Sequence, residues 1–165
     1  MLNKIFLTGF MAAGKSTIAK ILSSYLNFKL VDTDKKIENL TNLKIHTMFS
    51  KIGEHFFREQ ETKILKKLKK EKNLIVATGG GFFLRNKNIK IAKKLGTIVL
   101  LKADFKTCLK RSVNKKRPLL ENKSQEELEI LFKEREKRYL KFADFVVLNN
   151  ETPEVCVKNI LKLIK

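Results

Sequence analysis

Residues 9–17 read Gly9-Phe10-Met11-Ala12-Ala13-Gly14-Lys15-Ser16-Thr17. The spacing G-x-x-x-x-G-K-S is typical of a P-loop, whose glycines let several backbone N–H groups converge on the phosphates of a nucleotide. Lys15 would reach the β- and γ-phosphates, and the Ser16 hydroxyl would ligate Mg²⁺. The apolar run before the loop, at residues 2–8, predicts a buried strand, and the residues after it open an amphipathic helix. The stretch therefore predicts an α/β fold that binds a nucleoside triphosphate.

Strand and helix signals continue to alternate along the chain, as in βαβ proteins. Further apolar runs suited to buried strands fall near 29–31, 73–77, 97–101 and 144–148. Helical periodicity covers about 15–26, 34–41, 54–70, 87–94, 104–111, 124–141 and 153–164, the last with Thr152 as N-cap and Pro153 at its first position. The pattern predicts a three-layer α/β/α domain with a five-stranded parallel sheet. The polar, aperiodic stretch from Ser112 to Ser124 predicts a mobile lid.

Length and composition exclude several classes of protein. The chain has 165 residues, of which 43% are hydrophobic, and this suits one domain with a proper core. No run approaches the ~20 apolar residues of a membrane span, and we expect no signal peptide before the first strand. Only Cys108 and Cys156 are present, which indicates a reducing compartment without a disulfide framework. We expect a cytoplasmic protein without membrane partners.

The net charge of +19 raises the question of a nucleic-acid partner. The excess comes from 30 Lys against 6 Arg, scattered along helices, and no nucleic-acid recognition motif accompanies it. We therefore expect a lysine-rich solvated surface that attracts the polyanionic nucleotide, no nucleic-acid partner, and a monomer. Because Lys is the common cation here, each Arg is a candidate for a role that needs the planar guanidinium.

Two of the four Asp residues of the chain, Asp32 and Asp34, fall at the end of the second predicted strand. In an extended segment residues i and i+2 share one face, so both carboxylates would point toward the ligand side of a parallel sheet. Phosphoryl transfer needs one carboxylate near Mg²⁺ and another that positions or deprotonates the attacking hydroxyl. The alternative is a turn with a helix cap, in which Asp34 would be the N-cap.

Glycine and arginine residues supply the other candidate ligand contacts. Gly79, Gly80 and Gly81 follow the third predicted strand and permit close approach of the backbone to a ligand or to Asp34. Arg58 and Glu61 lie three apart on a predicted helix, so Glu61 can orient the guanidinium toward a substrate carboxylate. An ion pair on the protein surface would show the same spacing of Arg58 and Glu61 in the sequence.

Two further arginines have the right context for binding anions. Arg117 lies in the predicted lid, from which a cation could close over the transferring phosphate. Arg135 precedes Tyr139 by one helical turn and could be a second anion clamp. Solvated surface positions are the alternative for both. His46 and His55 have no partners at metal-ligand spacing, and we interpret them as surface or packing residues.

Taken together, these motifs resemble those of the shikimate kinases, small P-loop kinases with the nucleoside-monophosphate-kinase fold. The resemblance extends over essentially the whole chain. Its most specific signatures are Asp32-Thr33-Asp34, Gly53-Glu54 with Phe57-Arg58 and Glu61, Gly79-Gly80-Gly81, Arg117-Pro118-Leu119-Leu120, and Arg135 with Tyr139. It implies a single domain over residues 1–165, with the P-loop at 9–17, a substrate-binding region at about 33–61 and a lid at about 112–124.

The resemblance implies ATP-dependent phosphorylation of the 3-hydroxyl of shikimate, in the biosynthesis of chorismate and aromatic amino acids. The P-loop backbone and Lys15 would hold the ATP phosphates, and Ser16 with Asp32 would hold one Mg²⁺ ion. Asp34 would orient or deprotonate the 3-hydroxyl. The other implied contacts are the substrate carboxylate with Arg58 and Arg135, the ring hydroxyls with Gly79, Gly80 and Gly81, the ring with Phe49 and Phe57, and the lid contact of Arg117.

The adenine end departs from the pattern of the family. The family usually places an Arg seven residues before the lid Arg, stacked on adenine, but this chain has Lys110 there and Arg111 next. Either Arg111 takes that role or the stacking is weaker. The adenine loop before the last helix is less distinctive, and residues 150–153, ending at Pro153, are assigned to it only loosely.

Other functions remain as alternatives. Another small-metabolite kinase would share the P-loop, but a gluconate kinase should lack R-P-L-L and a nucleotide kinase should lack the triple glycine. A nucleic-acid-binding NTPase would explain the charge but not Asp34, Arg58 or Arg135. A non-catalytic ATP-binding subunit would not need the intact set of Lys15 and the two Asp residues.

Overall fold

A parallel sheet of five strands lies at the centre of the computed structural model, which describes residues 4–112 and 123–164. The spatial order of the strands is β2-β3-β1-β4-β5, and all four ladders are parallel. Their bounds are β1 Lys4–Thr8, β2 Lys29–Asp32, β3 Leu74–Ala77, β4 Thr97–Lys102 and β5 Phe145–Leu148. The predicted five-stranded parallel sheet is confirmed, with the strand before the P-loop in the middle.

Eight α-helices are present in the described part of the chain, of which the last follows β5 and the others lie between strands. They are α1 Lys15–Leu26, α2 Thr33–Thr41, α3 Ile45–Lys51, α4 Glu54–Lys67, α5 Asn86–Leu95, α6 Phe105–Ser112, α7 Gln125–Phe142 and α8 Pro153–Leu163. Short 3₁₀ turns follow α4, at Leu68–Lys70, and the glycine triplet, at Phe82–Leu84. Every helix in the two ranges 4–112 and 123–164 is too short or too polar to span a bilayer.

The two faces of the sheet build two separate apolar layers, because successive side chains of a strand point to opposite sides. Ile5 and Leu7 pack with α1 and α8, whereas Phe6 packs with α4, α5 and α7. All five residues of β1 are buried, as expected for a strand covered by helices on both faces. The predicted three-layer α/β/α architecture is confirmed.

The predicted helices differ from the observed ones in a few places. Helix α3 was not predicted, because its seven residues bury only Met48 and are too few to show a helical period. The predicted helix at 54–70 ends as an α-helix at Lys67 and continues as a 3₁₀ turn. At the start of α8, the Thr152 hydroxyl accepts a hydrogen bond from the backbone of Val155, which confirms the predicted cap.

The carboxyl ends of the strands all meet at one edge of the sheet, where ligands bind in open parallel α/β sheets. The P-loop follows β1, Asp32 ends β2, the glycine triplet follows β3, and Asn149 follows β5. This edge therefore gathers the candidate residues. The predicted lid falls mainly on residues 113–122, which lie outside the described residues, and so does Arg117.

Candidate active site

The P-loop is closed by its own main-chain and side-chain hydrogen bonds. The Lys15 ammonium donates to the carbonyl oxygens of Gly9 and Phe10, each at 2.7 Å. Gly14 has φ 95°, a left-handed conformation that favours glycine, and it forms the N-cap of α1. The first backbone N–H groups of α1 have no acceptors within their own helix, and this end of the helix dipole favours anions. The loop is thus shaped for phosphate.

A residue distant in the sequence, which was not singled out from the sequence, forms a hydrogen bond to the backbone of the P-loop. Asn149, at the end of β5, is 4% exposed and donates from Nδ2 to the carbonyl oxygen of Ala13 at 2.7 Å. A Cβ atom at Gly14 would collide with this amide, so the second glycine of the motif is needed for packing as well as for backbone conformation. No local pattern in the sequence marks Asn149, since the contact joins residues 136 positions apart.

Asp32 has two tasks, one for each carboxylate oxygen. Its Oδ1 accepts from the backbone N–H groups of Asp34 and Lys35, at 3.1 and 3.2 Å, and so caps α2. Its Oδ2 accepts from the Ser16 hydroxyl at 3.3 Å. The capping alternative from the sequence therefore applies to Asp32, and its assignment to Asp34 is wrong. The Ser16 hydroxyl and the Asp32 carboxylate thus lie close together at the start of α1. Oxygen atoms of this kind are the ligands that Mg²⁺ prefers.

Asp34 reaches the ligand edge for a different reason from the one predicted. It lies in the first turn of α2 rather than in an extended segment, and the helix rather than the strand directs its side chain. A Cβ atom at Gly79 would lie 2.5 Å from Asp34 Oδ1. The first glycine of the triplet therefore leaves room for this carboxylate, and the expected close approach of glycine backbone to Asp34 is present.

Arg58 is held by two glutamates of its own helix. Its Nη1 donates to both oxygens of Glu61, at 2.9 and 3.0 Å, and its Nε and Nη2 donate to Glu54 Oε1, at 2.9 and 2.7 Å. The Arg58 side chain is 11% exposed and that of Glu61 only 1% exposed, so the pair is buried and is not a surface ion pair. Such a network fixes the guanidinium plane, as bidentate recognition of a carboxylate requires.

The Glu61 carboxyl has a strongly shifted pKa. Burial raises the pKa from 4.5 to about 7, although the neighbouring Arg58 guanidinium acts in the opposite direction. Glu61 binds a proton more readily in the folded chain than in the unfolded chain. Its stabilising contribution is therefore complete below about pH 4.5 and is lost as the pH rises through about 7.

We expect Glu61→Gln to remove this dependence of stability on pH. The free energy of unfolding of the wild type, relative to that of the variant, should fall by about 1–3 kcal/mol between pH 4.5 and pH 7. Urea denaturation at several pH values measures this difference, and Glu59→Gln on the exposed side of α4 is the matched control. Parallel curves for the wild type and Glu61→Gln would contradict the shifted pKa.

The other two glycines of the triplet lie against an arginine and a tyrosine. A Cβ atom at Gly81 would collide with the Arg58 guanidinium. The Gly80 carbonyl oxygen accepts from the Tyr139 hydroxyl at 2.6 Å and from Arg135 Nη1 at 3.3 Å. Burial raises the pKa of Tyr139 to about 12, so its hydroxyl remains a donor at neutral pH. The two hydrogen bonds to the Gly80 carbonyl oxygen join helix α7 to the glycine triplet.

These groups surround a cavity of about 650 Å³. The rings of Phe49 and Phe57 lie 5.2 Å apart between their centroids, and the Arg58 guanidinium lies 5.9 and 5.3 Å from them. The structure thus brings together most of the sequence-predicted acceptor residues. The predicted site residues that line the cavity are Met11, Asp32, Asp34, Phe49, Phe57, Arg58, Gly79, Gly80, Gly81 and Arg135.

Some side chains in the cavity wall were not singled out from the sequence, among them Lys35, Lys44 and His46. Lys35 comes from α2, Lys44 from the turn before α3, and His46 from α3. His46 is therefore part of the wall, and it differs from His55, which contacts Glu59 and Arg85 on the surface. Because helix α3 was not predicted, His46 could not be assigned to the cavity wall from the sequence.

The predicted adenine-side residues lie apart from this cavity. Arg111, in α6, donates from Nη1 to the carbonyl oxygen of Asn149 at 2.9 Å. Pro153 begins α8, as predicted. Arg111 is thus held next to the residue that supports the P-loop, whereas Lys110 does not line the cavity and Arg117 is outside the described residues.

Comparison with known proteins identifies the family. A family model described as shikimate kinase matches residues 11–165. A shikimate kinase from Clostridium botulinum is 41% identical over 156 residues, which cover 93% of this chain and 91% of the relative. The structure of shikimate kinase from Acinetobacter baumannii in complex with shikimate matches with a TM-score of 0.94 at 34% identity, covering 99% of this chain and 93% of that one.

A more distant structure extends the likeness at the level of the fold. Deoxyadenosine kinase from M. mycoides with bound dCTP matches with a TM-score of 0.64 at 18% identity, over 98% of both chains. The P-loop kinase fold expected from the sequence is therefore confirmed. Since the family model spans nearly the whole chain and the relatives match along most of their length, this chain belongs to the shikimate kinase family.

Proposed function

We propose that this protein transfers the γ-phosphoryl group of ATP to the 3-hydroxyl of shikimate, giving shikimate 3-phosphate and ADP. One observation carries the proposal: a buried, doubly anchored Arg58 and the Asp34 carboxylate line the same cavity beside a P-loop. A carboxylate-binding group and a hydroxyl-binding group at one wall suit a small hydroxylated acid. The product serves the shikimate pathway to chorismate and the aromatic amino acids.

Shikimate would be bound through its carboxylate and its hydroxyls. Arg58 and Arg135 would pair with the carboxylate, since both line the cavity and guanidinium groups bind carboxylates in two parallel hydrogen bonds. The backbone of Gly79, Gly80 and Gly81 would contact the ring hydroxyls, and the rings of Phe49 and Phe57 would pack against the cyclohexene ring. These roles are supported by the placement of the side chains around one cavity.

Asp34 would act on the attacking hydroxyl. Its carboxylate would accept a hydrogen bond from the 3-hydroxyl, orient the oxygen toward the γ-phosphorus and take the proton as the P–O bond forms. Lys15 would release its bonds to the Gly9 and Phe10 carbonyl oxygens and bind the β- and γ-phosphates. Most of the rate enhancement would come from this positioning and from charge stabilisation.

The nucleotide would lie on the P-loop, with its phosphates on the backbone of Gly9, Met11, Ala12, Ala13, Gly14, Ser16 and Thr17. Ser16 and Asp32 would hold one Mg²⁺ ion, a proposal supported by the 3.3 Å approach of their two oxygens. The ion would neutralise negative charge on the phosphates when bound. In residues 4–112 and 123–164 no cluster of three His, Cys, Asp or Glu side chains offers a competing metal site.

The remaining contacts are proposed at the adenine and lid ends. Arg111 and Pro153 would flank the adenine, which the position of Arg111 beside Asn149 supports. Arg117 would close from the lid onto the phosphates and is the third proposed catalytic residue, with Lys15 and Asp34.

We also propose a monomeric, cytoplasmic protein of one domain. The lysine-rich surface supports the monomer, and the two buried cysteines, neither in a disulfide, support a reducing compartment.

A coupled assay of ADP release tests the proposed function. We expect turnover with ATP and shikimate, and background rates with gluconate, nucleoside monophosphates or nucleic acid in place of shikimate. Stimulation by RNA or DNA with a steep salt dependence would instead support a nucleic-acid-binding NTPase. Absence of shikimate-dependent turnover at millimolar substrate would overturn the proposal.

A further inference from the structure

The peptide between Gly80 and Gly81 is held by α7 in a single orientation. Its carbonyl oxygen accepts a short bond of 2.6 Å from the Tyr139 hydroxyl and a longer bond of 3.3 Å from Arg135 Nη1. Because a carbonyl oxygen has two lone pairs, these two donors saturate it. The shorter bond is the stronger constraint, so Tyr139 is the principal anchor of this peptide.

Fixing the carbonyl also fixes the amide on the other side of the same peptide bond. The described chain has no cis peptide, so the Gly81 N–H points away from the Gly80 carbonyl. The N–H groups of Gly80 and Gly81 donate to no acceptor among the described residues, whereas that of Gly79 donates to Thr33. Since both glycines line the cavity, their two amides are available to a bound ligand.

Tyr139 is itself placed rigidly. It is 2% exposed, and its ring meets that of Phe142 edge to face, with centroids 6.2 Å apart. The adjacent Arg135, one turn earlier in α7, shares its acceptor. The Tyr139 hydroxyl, by the shorter of two hydrogen bonds, therefore connects the backbone of the triplet to the helix that carries one of the two arginines of the site.

We propose that Tyr139 is a positioning residue for substrate binding, which holds the Gly80–Gly81 peptide, and with it the Gly81 N–H, together with the Arg135 guanidinium as one preformed unit for the carboxylate and hydroxyls of the acceptor. This rests on the proposed function and extends it to a residue that touches no reacting atom. A preformed unit binds without the entropic cost of ordering its donors, so its loss weakens binding of the acceptor rather than the chemical step.

The test is Tyr139→Phe, which removes the hydroxyl and keeps the ring. We expect the KM for shikimate to rise about 3- to 10-fold, with kcat within about 2-fold and the KM for ATP unchanged; loss of one buried hydrogen bond corresponds to about 1 kcal/mol. Tyr25→Phe is the matched control, because Tyr25 is 71% exposed on α1. Titration of shikimate without ATP should show the same weakening.

A second variant separates positioning from packing. Phe142→Leu weakens the ring contact but keeps the hydroxyl, so it should lower stability and leave the KM for shikimate near the wild-type value. Equal KM increases in both variants, or an unchanged KM in Tyr139→Phe, would overturn the proposal while wild-type turnover with shikimate still supports the function. A wild type without that turnover would instead remove the function on which the proposal rests.

Discussion

Asp34→Asn is expected to lower kcat by about 10²- to 10⁴-fold, the range typical of losing a general base. Asn has nearly the same shape as Asp, so it fits the space that Gly79 leaves beside Oδ1. It cannot accept the proton of the attacking hydroxyl, although it can still form one hydrogen bond to it. Steady-state kinetics of ADP release measures kcat, and titration with ATP measures nucleotide binding, which should stay near the wild-type value.

Asp144→Asn is the matched control for this variant. Asp144 accepts from the Ile98 backbone and pairs with Lys93 at the far end of the sheet from the P-loop, so kcat should be unchanged. A rate for Asp34→Asn close to that of the wild type would show that Asp34 only binds the substrate, and that another group or water takes the proton.

Arg58→Lys is expected to raise the KM for shikimate about 10- to 100-fold with a smaller change in kcat. Lys keeps the positive charge but replaces a planar group, fixed by Glu54 and Glu61, with a single ammonium that cannot form two parallel bonds to a carboxylate. Hydrogen bonds to charged groups contribute about 1.5–3 kcal/mol each, which sets the expected range. Steady-state kinetics with shikimate as the varied substrate measures the change.

Arg85→Lys is the control, since Arg85 contacts the surface residue His55 and the substitution preserves its charge. The KM for ATP should be unaffected in both variants. An unaltered KM for shikimate in Arg58→Lys would exclude Arg58 from the acceptor site and leave Arg135 as the candidate partner of the carboxylate.

The sequence was sufficient to predict the sheet and to name many of the residues that line the cavity, because both depend on local patterns. The P-loop has a fixed spacing, buried parallel strands read as continuous apolar runs, and Arg58 and Glu61 are one helical turn apart. The role of Glu61 as a partner of the guanidinium was predicted, but its burial was not. Burial depends on packing against residues distant in the chain, and so does the raised pKa of the carboxyl.

Other features depend on contacts that no local pattern records. Asn149 supports the P-loop across almost the whole length of the chain, and Tyr139 meets Gly80 from a helix 59 positions later. Helix α3 was missed because a seven-residue helix with one buried side chain lacks a readable period. For Asp34 the placement at the ligand edge was right and the reason was wrong, since Asp34 lies in the first turn of helix α2 and not in the extended segment that was expected to direct its carboxylate.

The glycine triplet has a consequence for redesigning acceptor specificity. A side chain at position 79 would collide with Asp34, and one at position 81 would collide with Arg58, so each glycine makes room for a group of the protein itself. Positions 79 and 34, like positions 81 and 58, are sterically interlocked. Libraries that vary the triplet alone would mostly yield displaced functional groups, whereas libraries that vary each pair together would explore new acceptors.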